Sequence, residues 1–377
     1  MAPATAAAAV AILDANSENK LNQRCIISDW RRAESLRLSV ASRTLPGMSD
    51  IVAPGAQAPA DAAPAPDAAP APDAAPDQAT VTGALSPSRA GDFMTCPLLY
   101  RFRVIDRLPE PPSPAAARGT LVHAVLERLF DRPAPERTAQ SAKALLEPEW
   151  QRLLDAEPEL SQMFAGDTEL AAWFAEAHSM LDRYFVLEDP RRLEPAQREL
   201  YVETVLDSGL LLRGYIDRLD IAPNGDVRVV DYKTGTAPRA EFEARALFQM
   251  KFYALVLWRL RGQVPRLLQL IYLGNGEILR YAPDEADLRA TERKTEAIWR
   301  AIERATSRHD WRPRPSRICD WCAFKALCPA FGGTPPPLPE SDGDPGISQT
   351  AAADSHAAAR AEPLPEIPSP RSFAPDI

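Results

Sequence analysis

Two aspartates and a lysine gather in the stretch Gly214 to Lys233, which reads Gly-Tyr-Ile-Asp-Arg-Leu-Asp-Ile-Ala-Pro-Asn-Gly-Asp-Val-Arg-Val-Val-Asp-Tyr-Lys. Asp217 lies in one β-branched, apolar run. Asp231 and Lys233 close a second, and the two runs flank Pro223-Asn224-Gly225-Asp226. Asn-Gly between such runs marks a hairpin, because it tolerates the positive φ of a tight turn. The spacing predicts strands over 210–221 and 227–233. Strand side chains alternate, so Asp231 and Lys233 share a face. Pairing across the hairpin is expected to bring Asp217 to that face as well. Two carboxylates can hold Mg²⁺, a hard cation that takes oxygen ligands. Such an ion lowers the pKa of bound water and neutralises a phosphodiester. A lysine beside it can orient the attacking water or stabilise the developing charge. An isolated Asp-x-Lys is usually an ordinary surface hairpin, so the rest of the chain has to decide.

The elements that would position this trio are legible around it. Ser86 or Ser88 can cap a short helix to Thr95, which Cys96-Pro97 ends. A helix over 118–131 carries Leu121, Val125, Leu129 and Phe130 on one stripe, with His123 on it four residues after Gly119. A lone helical histidine is usually structural; the glycine, permitting close backbone approach, is a hint of a site. Residues 138–187 read as two or three amphipathic core helices. A strand over 200–205 precedes the hairpin, and its Glu203 is read as a solvated edge position. A strong helix over 244–261 presents Gln249 and Tyr253, which share one face at i and i+4. A strand pair over 267–273 and 277–281 and a long helix over 285–306 follow.

The 377 residues hold more than one average domain, yet both ends are low in complexity. Residues 53–76 approximate a repeat of Asp-Ala-Ala-Pro-Ala-Pro, and the C-terminal end is again rich in Pro, Ala, Ser and Asp. Such composition cannot bury enough apolar area to offset its ordering entropy. The expected organisation is a disordered extension over 1–80, a folded domain over 81–333 and a disordered tail over 334–377. Met48-Ser49-Asp50 is expected as the true start, with 1–47 an extension. The net charge of −9 argues against a nucleic-acid partner only until it is partitioned. Residues 1–80 carry nine acidic and six basic side chains and residues 340–377 seven and two, which leaves the middle at −1. A near-neutral body with a local basic groove can bind DNA. No apolar run reaches the roughly 18 residues of a membrane span. No signal peptide is recognisable either, so the expected location is cytoplasmic and no membrane partner is expected.

Cysteines supply a second constellation. Cys319 and Cys322 sit at Cys-x-x-Cys spacing and Cys328-Pro329 follows. Three clustered cysteines in a chain without a signal sequence suggest a metal site rather than disulfides. Cys96 can supply the fourth ligand; Cys25, in the extension, is the weaker candidate. A Cys₄ zinc site is one solution. Zinc modules usually pair two Cys-x-x-Cys knuckles, however, and Cys-Pro also closes iron–sulfur ligand runs, so a 4Fe–4S cluster is preferred.

Taken together, Gly119-Thr-Leu-Val-His123, Gly214-Tyr-Ile-Asp217, Asp231-Tyr-Lys233-Thr-Gly235 and Gln249-Met-Lys-Phe-Tyr253, bracketed by the split cysteines, resemble the RecB-like branch of the PD-(D/E)xK nuclease superfamily. Within it they are similar to the iron–sulfur subgroup of the AddB nuclease domain, CRISPR-associated exonucleases and exonuclease V. The resemblance spans residues 84–331. It implies an α/β, restriction-endonuclease-like mixed sheet flanked by helices, with an iron–sulfur staple through Cys96, Cys319, Cys322 and Cys328 joining the N- and C-terminal segments. It implies that His123, Asp217, Asp231 and the Tyr232 carbonyl hold Mg²⁺ or Mn²⁺. Lys233 would be the catalytic lysine, with Gln249 and Tyr253 lining the site and touching DNA. Ile216 stands where the motif's name has proline. The implied activity is that of a metal-dependent DNA exonuclease acting on single strands or ends in repair or recombination. The rival is a non-cleaving, DNA-end-binding subunit of a repair or CRISPR adaptation complex. No Gly-x-x-x-x-Gly-Lys-Ser/Thr loop occurs in the chain, so any helicase would be a separate partner.

Overall fold

The computed structural model describes residues 81–239 and 243–339; the expected extension, most of the expected tail, and Cys25 lie outside them. In chain order the elements are β1 (Gly83–Leu85), α1 (Pro87–Thr95), α2 (Pro97–Tyr100), α3 (Pro114–Leu129), α4 (Ala139–Lys143), α5 (Leu146–Ala156) and α6 (Asp167–Leu187). β2 (Gln197–Val205), β3 (Leu210–Ile221), β4 (Val227–Lys233), α7 (Glu243–Arg261), β5 (Leu267–Tyr272), β6 (Glu277–Tyr281) and α8 (Glu285–Ser307) follow. The strands form one mixed sheet in the order β1-β3-β4-β5-β6, with β2 also on β3. The expected mixed sheet flanked by helices is what the chain builds.

Both faces of this sheet are covered. Val229, Leu268 and Leu270 pack with α7 and α8 on one side; Val230, Tyr232 and Ile271 pack with α3 and α6 on the other. β5 therefore reads as an unbroken buried run rather than an alternation. Local chemistry sets the helix starts. Ser86 caps α1, Ser113 caps α3 with Pro114 in its first turn, and Asp284 with Asp287 forms a capping box on α8. Gly225 turns the β3–β4 hairpin at φ 87°, as the Asn-Gly signal requires.

The strand register creates an opening. β2 runs along one edge of β3, pairing Gln197 with Leu219 through Val205 with Leu211. On the other edge β1 pairs only with Leu210 to Leu212, and β4 only with Arg218 to Ile221. The edge of β3 from Arg213 to Asp217 therefore lies between two partners and pairs with neither. Asp217 and Asp231 stand just past the last β3–β4 pair, Arg218 with Val230. Continuing that register sets Asp217 across from Asp231, where the ladder has ended; both stand at the notch where the two strands part.

An ionic cluster holds the base of that notch. Arg218, 1% exposed, bonds both oxygens of Glu188 at 2.9 and 3.1 Å, Asp220 at 3.2 Å and the Tyr232 hydroxyl at 2.6 Å. Arg228 adds a second bond to Asp220 at 2.9 Å, and Gln269 one to Glu188 at 3.0 Å. At the C-terminal end the body extends beyond the expected boundary at 333. The carbonyl of Pro336 accepts from Arg101, and Leu338 packs on the core.

Removing one partner of a buried ion set leaves the others uncompensated. Arg218→Ala is expected to lower unfolding free energy by about 3–5 kcal/mol, read as a lower urea midpoint at unchanged slope. A loss below about 1 kcal/mol, the size typical of exposed pairs, would show that the cluster is solvated.

Candidate active site

His123 projects from the middle of α3 over the notch. Its Nε2 lies 2.8 Å from the Tyr232 carbonyl. A carbonyl only accepts, so Nε2 carries the proton and donates. In the neutral ring Nδ1 is then a bare lone pair, 3.4 Å from Asp217 Oδ2. Two acceptors facing each other repel unless a proton or a metal ion lies between them. Asp217 Oδ2 also accepts the Tyr232 N–H at 2.7 Å. The Tyr232 carbonyl, expected as a metal ligand, is thus engaged by His123.

Glu199 of β2 completes the group. Ligand atoms of His123, Glu199 and Asp217 all lie within 4.8 Å of one another, the spacing of a shared metal ion. Glu199 has φ 44°, in the left-handed region that a glutamate rarely adopts. The β2–β3 ladder skips the Glu199–Asp217 pair. Sheet alternation breaks there too. Leu200 and Ile216 pack with the α7 core, whereas Arg198 and Arg218, two residues away, reach α3 and α6 residues or those adjoining them. The kink turns both carboxylates into the notch. Sequence reading missed Glu199; the signal available was only an acidic residue just ahead of the strand read from the sequence.

On the α7 side, Lys233 donates to Gln249 Oε1 at 2.9 Å, and Gln249 Nε2 donates to Asp231 Oδ1 at 2.9 Å and lies 3.2 Å from the Tyr253 hydroxyl. Because Lys233 only donates, it fixes which end of the Gln249 amide faces it. Lys233 Nζ stands 2.7 Å from Asp231 Oδ2, close enough for an ion pair but off hydrogen-bond direction, so that buried oxygen keeps no hydrogen-bond partner. Gly214 has no room for a side chain: a Cβ there would stand 2.8 Å from the Tyr253 ring. Gly119 is different; a Cβ would meet only Thr234 Oγ1 at 3.5 Å, so the expected close approach is not needed. Glu203 is exposed and bonds Tyr201 at 2.6 Å, an edge position as read.

Crowding raises the acids. Burial, then the charge of Asp231, holds Asp217 well above the ordinary carboxylate range. Burial, then Asp217, pushes Glu199 up to about 7. An imidazole and two carboxyls with ligand atoms within 4.8 Å of one another, the carboxyls holding protons that a cation can displace, make a donor set that fits a divalent cation bound by oxygen and imidazole.

The four described cysteines line one cleft beside α1 and α2. Cys96 Sγ accepts the Arg314 N–H and Cys319 Sγ the Ser316 N–H, both at 3.3 Å. Burial, then a backbone N–H that acts against it, then the neighbouring Cys319, Cys96 and Cys328, set the Cys322 thiol, whose net shift is upward. Among the described residues no three of these sulfurs lie within 4.8 Å of one another. In the same residues no helix is long and apolar enough to cross a membrane.

Comparison with known proteins adds the following. A family model described as the PD-(D/E)XK nuclease superfamily matches residues 84–329. The Gene 69 protein of Mycobacterium phage D29 is 26% identical over 272 residues, covering 65% of this chain and 96% of that protein. The Gene 69 protein of Mycobacterium phage L5 is 23% identical over 296 residues, covering 68% and 99%. A Eubacterium rectale crystal structure described as a candidate exonuclease superposes with a TM-score of 0.44 at 14% identity, over 64% of this chain and 87% of that one.

The raised acids give a pH signature. A carboxyl whose folded pKa is raised contributes stability below its unfolded value, near 4.3 for glutamate, and loses it as pH rises through the folded value. For Glu199 that window ends at about 7. Metal-free protein should therefore melt lower at about pH 8 than at about pH 5. Mn²⁺ or Ca²⁺, which must displace those protons, should raise the melting temperature more at the higher pH. Glu199→Gln should flatten both trends. Equal metal shifts at both pH values would place the metal elsewhere.

Proposed function

The chain belongs to the PD-(D/E)XK nuclease superfamily, and from that premise we propose that it is a Mg²⁺- or Mn²⁺-dependent DNA exonuclease of the RecB-like branch, acting on single strands or ends. The observation that carries this reading is the convergence of His123, Glu199 and Asp217 beside Asp231 and Lys233 at the parting of β3 and β4. When bound, a divalent ion would lower the pKa of a water and neutralise phosphodiester charge. His123, Glu199, Asp217 and Asp231 are the residues that would hold it.

The protein's own groups do the rest. The Tyr232 peptide, bonded to Asp217 and His123, holds both ligands in one orientation. Gln249 bridges Lys233 and Asp231, which keeps the ammonium at the rim of the cradle. From there Lys233 can orient the attacking water and stabilise charge on the phosphoryl oxygens as the bond breaks. The Tyr253 hydroxyl, its pKa raised by burial, stays neutral and can donate to a phosphate oxygen. A purely end-binding role would not need a buried aspartate paired with a half-exposed lysine.

For the cysteines we propose a 4Fe–4S cluster held by Cys96, Cys319, Cys322 and Cys328. Zinc–sulfur bonds of about 2.3 Å draw four sulfurs close together. A four-iron cluster puts each thiolate on a different iron and spreads them wider. What supports this reading is the Cys-Pro that closes the run and the placing of all four cysteines on one cleft, with backbone N–H groups aimed at two of the sulfurs.

Asp231→Ala and Lys233→Ala should each cut single-turnover cleavage of end-labelled single-stranded DNA by on the order of 10²- to 10⁴-fold, with circular dichroism unchanged. Wild-type rates in either variant would refute the assigned site, and substrates labelled at the 5′ or 3′ end separate stepwise from internal cutting. Anaerobically purified protein should be brown, with iron and sulfide in similar amounts. Cys328→Ser should lose the colour and melt lower. One tightly held zinc without sulfide would overturn the cluster and leave the Asp231–Lys233 site standing.

A further inference from the structure

The β2–β3 ribbon carries a feature that the cradle does not use. Tyr201 and Tyr215 are direct cross-strand partners. Their ring centroids are 5.2 Å apart with planes inclined at 52°. Their neighbours Leu200, Val202 and Ile216 pack into the α7 core, so alternation turns both tyrosines to the opposite face. Tyr215 is 36% exposed despite its size. Both tyrosines lie two residues along their strands from Glu199 and Asp217, which at about 3.3 Å per residue is about 7 Å. Along this stretch the other edge of β3 has no strand partner among the described residues. The next pair along is Glu203 with Arg213, and the Arg213 charge lies near the Tyr201 hydroxyl.

An aromatic cross-strand pair steadies the ribbon, and here it also presents the Tyr215 ring at the surface beside the cradle. We propose that Tyr201 and Tyr215 form a stacking subsite for the base of the nucleotide that flanks the scissile phosphate on a single-stranded substrate. This rests on the nuclease reading of the adjacent cradle. With a phosphodiester at Glu199 and Asp217, the ribbon lies within one nucleotide's reach, and the exposed Tyr215 ring offers a π-face to any base. Stacking of this kind tolerates every sequence and excludes paired bases, whose faces are already covered. Tyr201, bonded to Glu203, packs against the Tyr215 ring from the neighbouring strand. The subsite thereby assigns the single strand, rather than the duplex, as the form that enters.

The test is fluorescence anisotropy of labelled oligothymidylate on the full-length protein, with Ca²⁺ in place of Mg²⁺ to suppress cleavage. Tyr215→Ala should raise Kd by between about 5-fold and about 100-fold. Tyr215→Phe and Tyr215→Trp, which keep a ring, should stay within about 2-fold of wild type. An abasic oligonucleotide should bind wild type as weakly as oligothymidylate binds Tyr215→Ala. In turnover the alanine variant should show its loss in KM rather than kcat, and its preference for a base-bearing over a base-free phosphodiester ester should fall. If wild type cuts the strand while Tyr215→Ala binds it as tightly as wild type, the subsite is wrong and the nuclease reading stands. If wild type cuts no DNA with Mg²⁺ or Mn²⁺ yet loses binding on Tyr215→Ala, the nuclease reading falls and the stacking surface remains. Wild type that binds no oligonucleotide overturns the subsite outright.

Discussion

Tyr232 is bonded in three directions. Its N–H donates to Asp217, its carbonyl accepts from His123, and its hydroxyl meets Arg218. The residues on either side of it are Asp231 and Lys233, which strand alternation turns to the opposite face. One residue therefore links α3, β3 and β4 and ties both Asp217 and His123 to the notch. A residue in a regular ladder would spend its N–H and carbonyl on a neighbouring strand. Tyr232 pairs with β5 on one side only, through Ile271. β3 has already separated on the other side, which frees its peptide for Asp217 and His123. The parting of the strands and the assembly of the site are the same structural event.

The ionic cluster under the notch is understandable on that basis. Burying Arg218 with Glu188 and Asp220 is a poor way to gain stability, since apolar side chains of similar volume do as well or better. It does specify geometry. Arg218 presents its donors in a rigid fork, and between them they reach Glu188 after α6, Asp220 of β3 and Tyr232 of β4. A one-residue slip of β3 would turn Arg218 toward the α7 core and strand three charges. The register that aims Asp217 at His123 is the one that satisfies Arg218.

Much of the fold was legible because it follows local rules. The spans of β3, β4 and β6 were read to the residue, and those of α7, α8 and β5 to within one, from periodicity, Asn-Gly and Gly-Asn-Gly turns. α3 begins four residues earlier than read because Ser113 and Pro114 start a helix that the charged, Pro-rich connector disguised. What was not legible is non-local. Glu199 lies just ahead of the strand read from the sequence, in a segment as polar as it is apolar, and differs from Glu203 on paper in nothing but position. It becomes a site residue through a left-handed kink opposite Asp217, which no alternation rule anticipates. Asp217 comes across the hairpin from Asp231 as expected, but one step past the last ladder pair, and where the ladder stops is not written in the local sequence. The value of Gly214 over Gly119 likewise depends on where the Tyr253 ring lies.

The cysteine cleft and the cradle lie on different parts of the body, and the packing between the chain ends bears on what the cysteines do. Tyr100 stacks on Trp311 at 5.8 Å, Phe93 meets both rings edge-on, and Phe102 contacts Phe324 at 5.3 Å. These contacts already join the segment after α1 to the segment after α8 across more than 200 residues of sequence. The loop-closure cost is therefore met partly by apolar burial before any metal is considered. A group held by Cys96 on one side and Cys319, Cys322 and Cys328 on the other would lock an interface that exists without it. Its loss would loosen α1 and α2 first. α1 supplies Pro87, which lies against Gly214 beside Tyr253. Any influence of the cysteines on the cradle would therefore travel through the position of the Tyr253 ring and the Gln249 amide bonded to it, rather than through the acidic ligands.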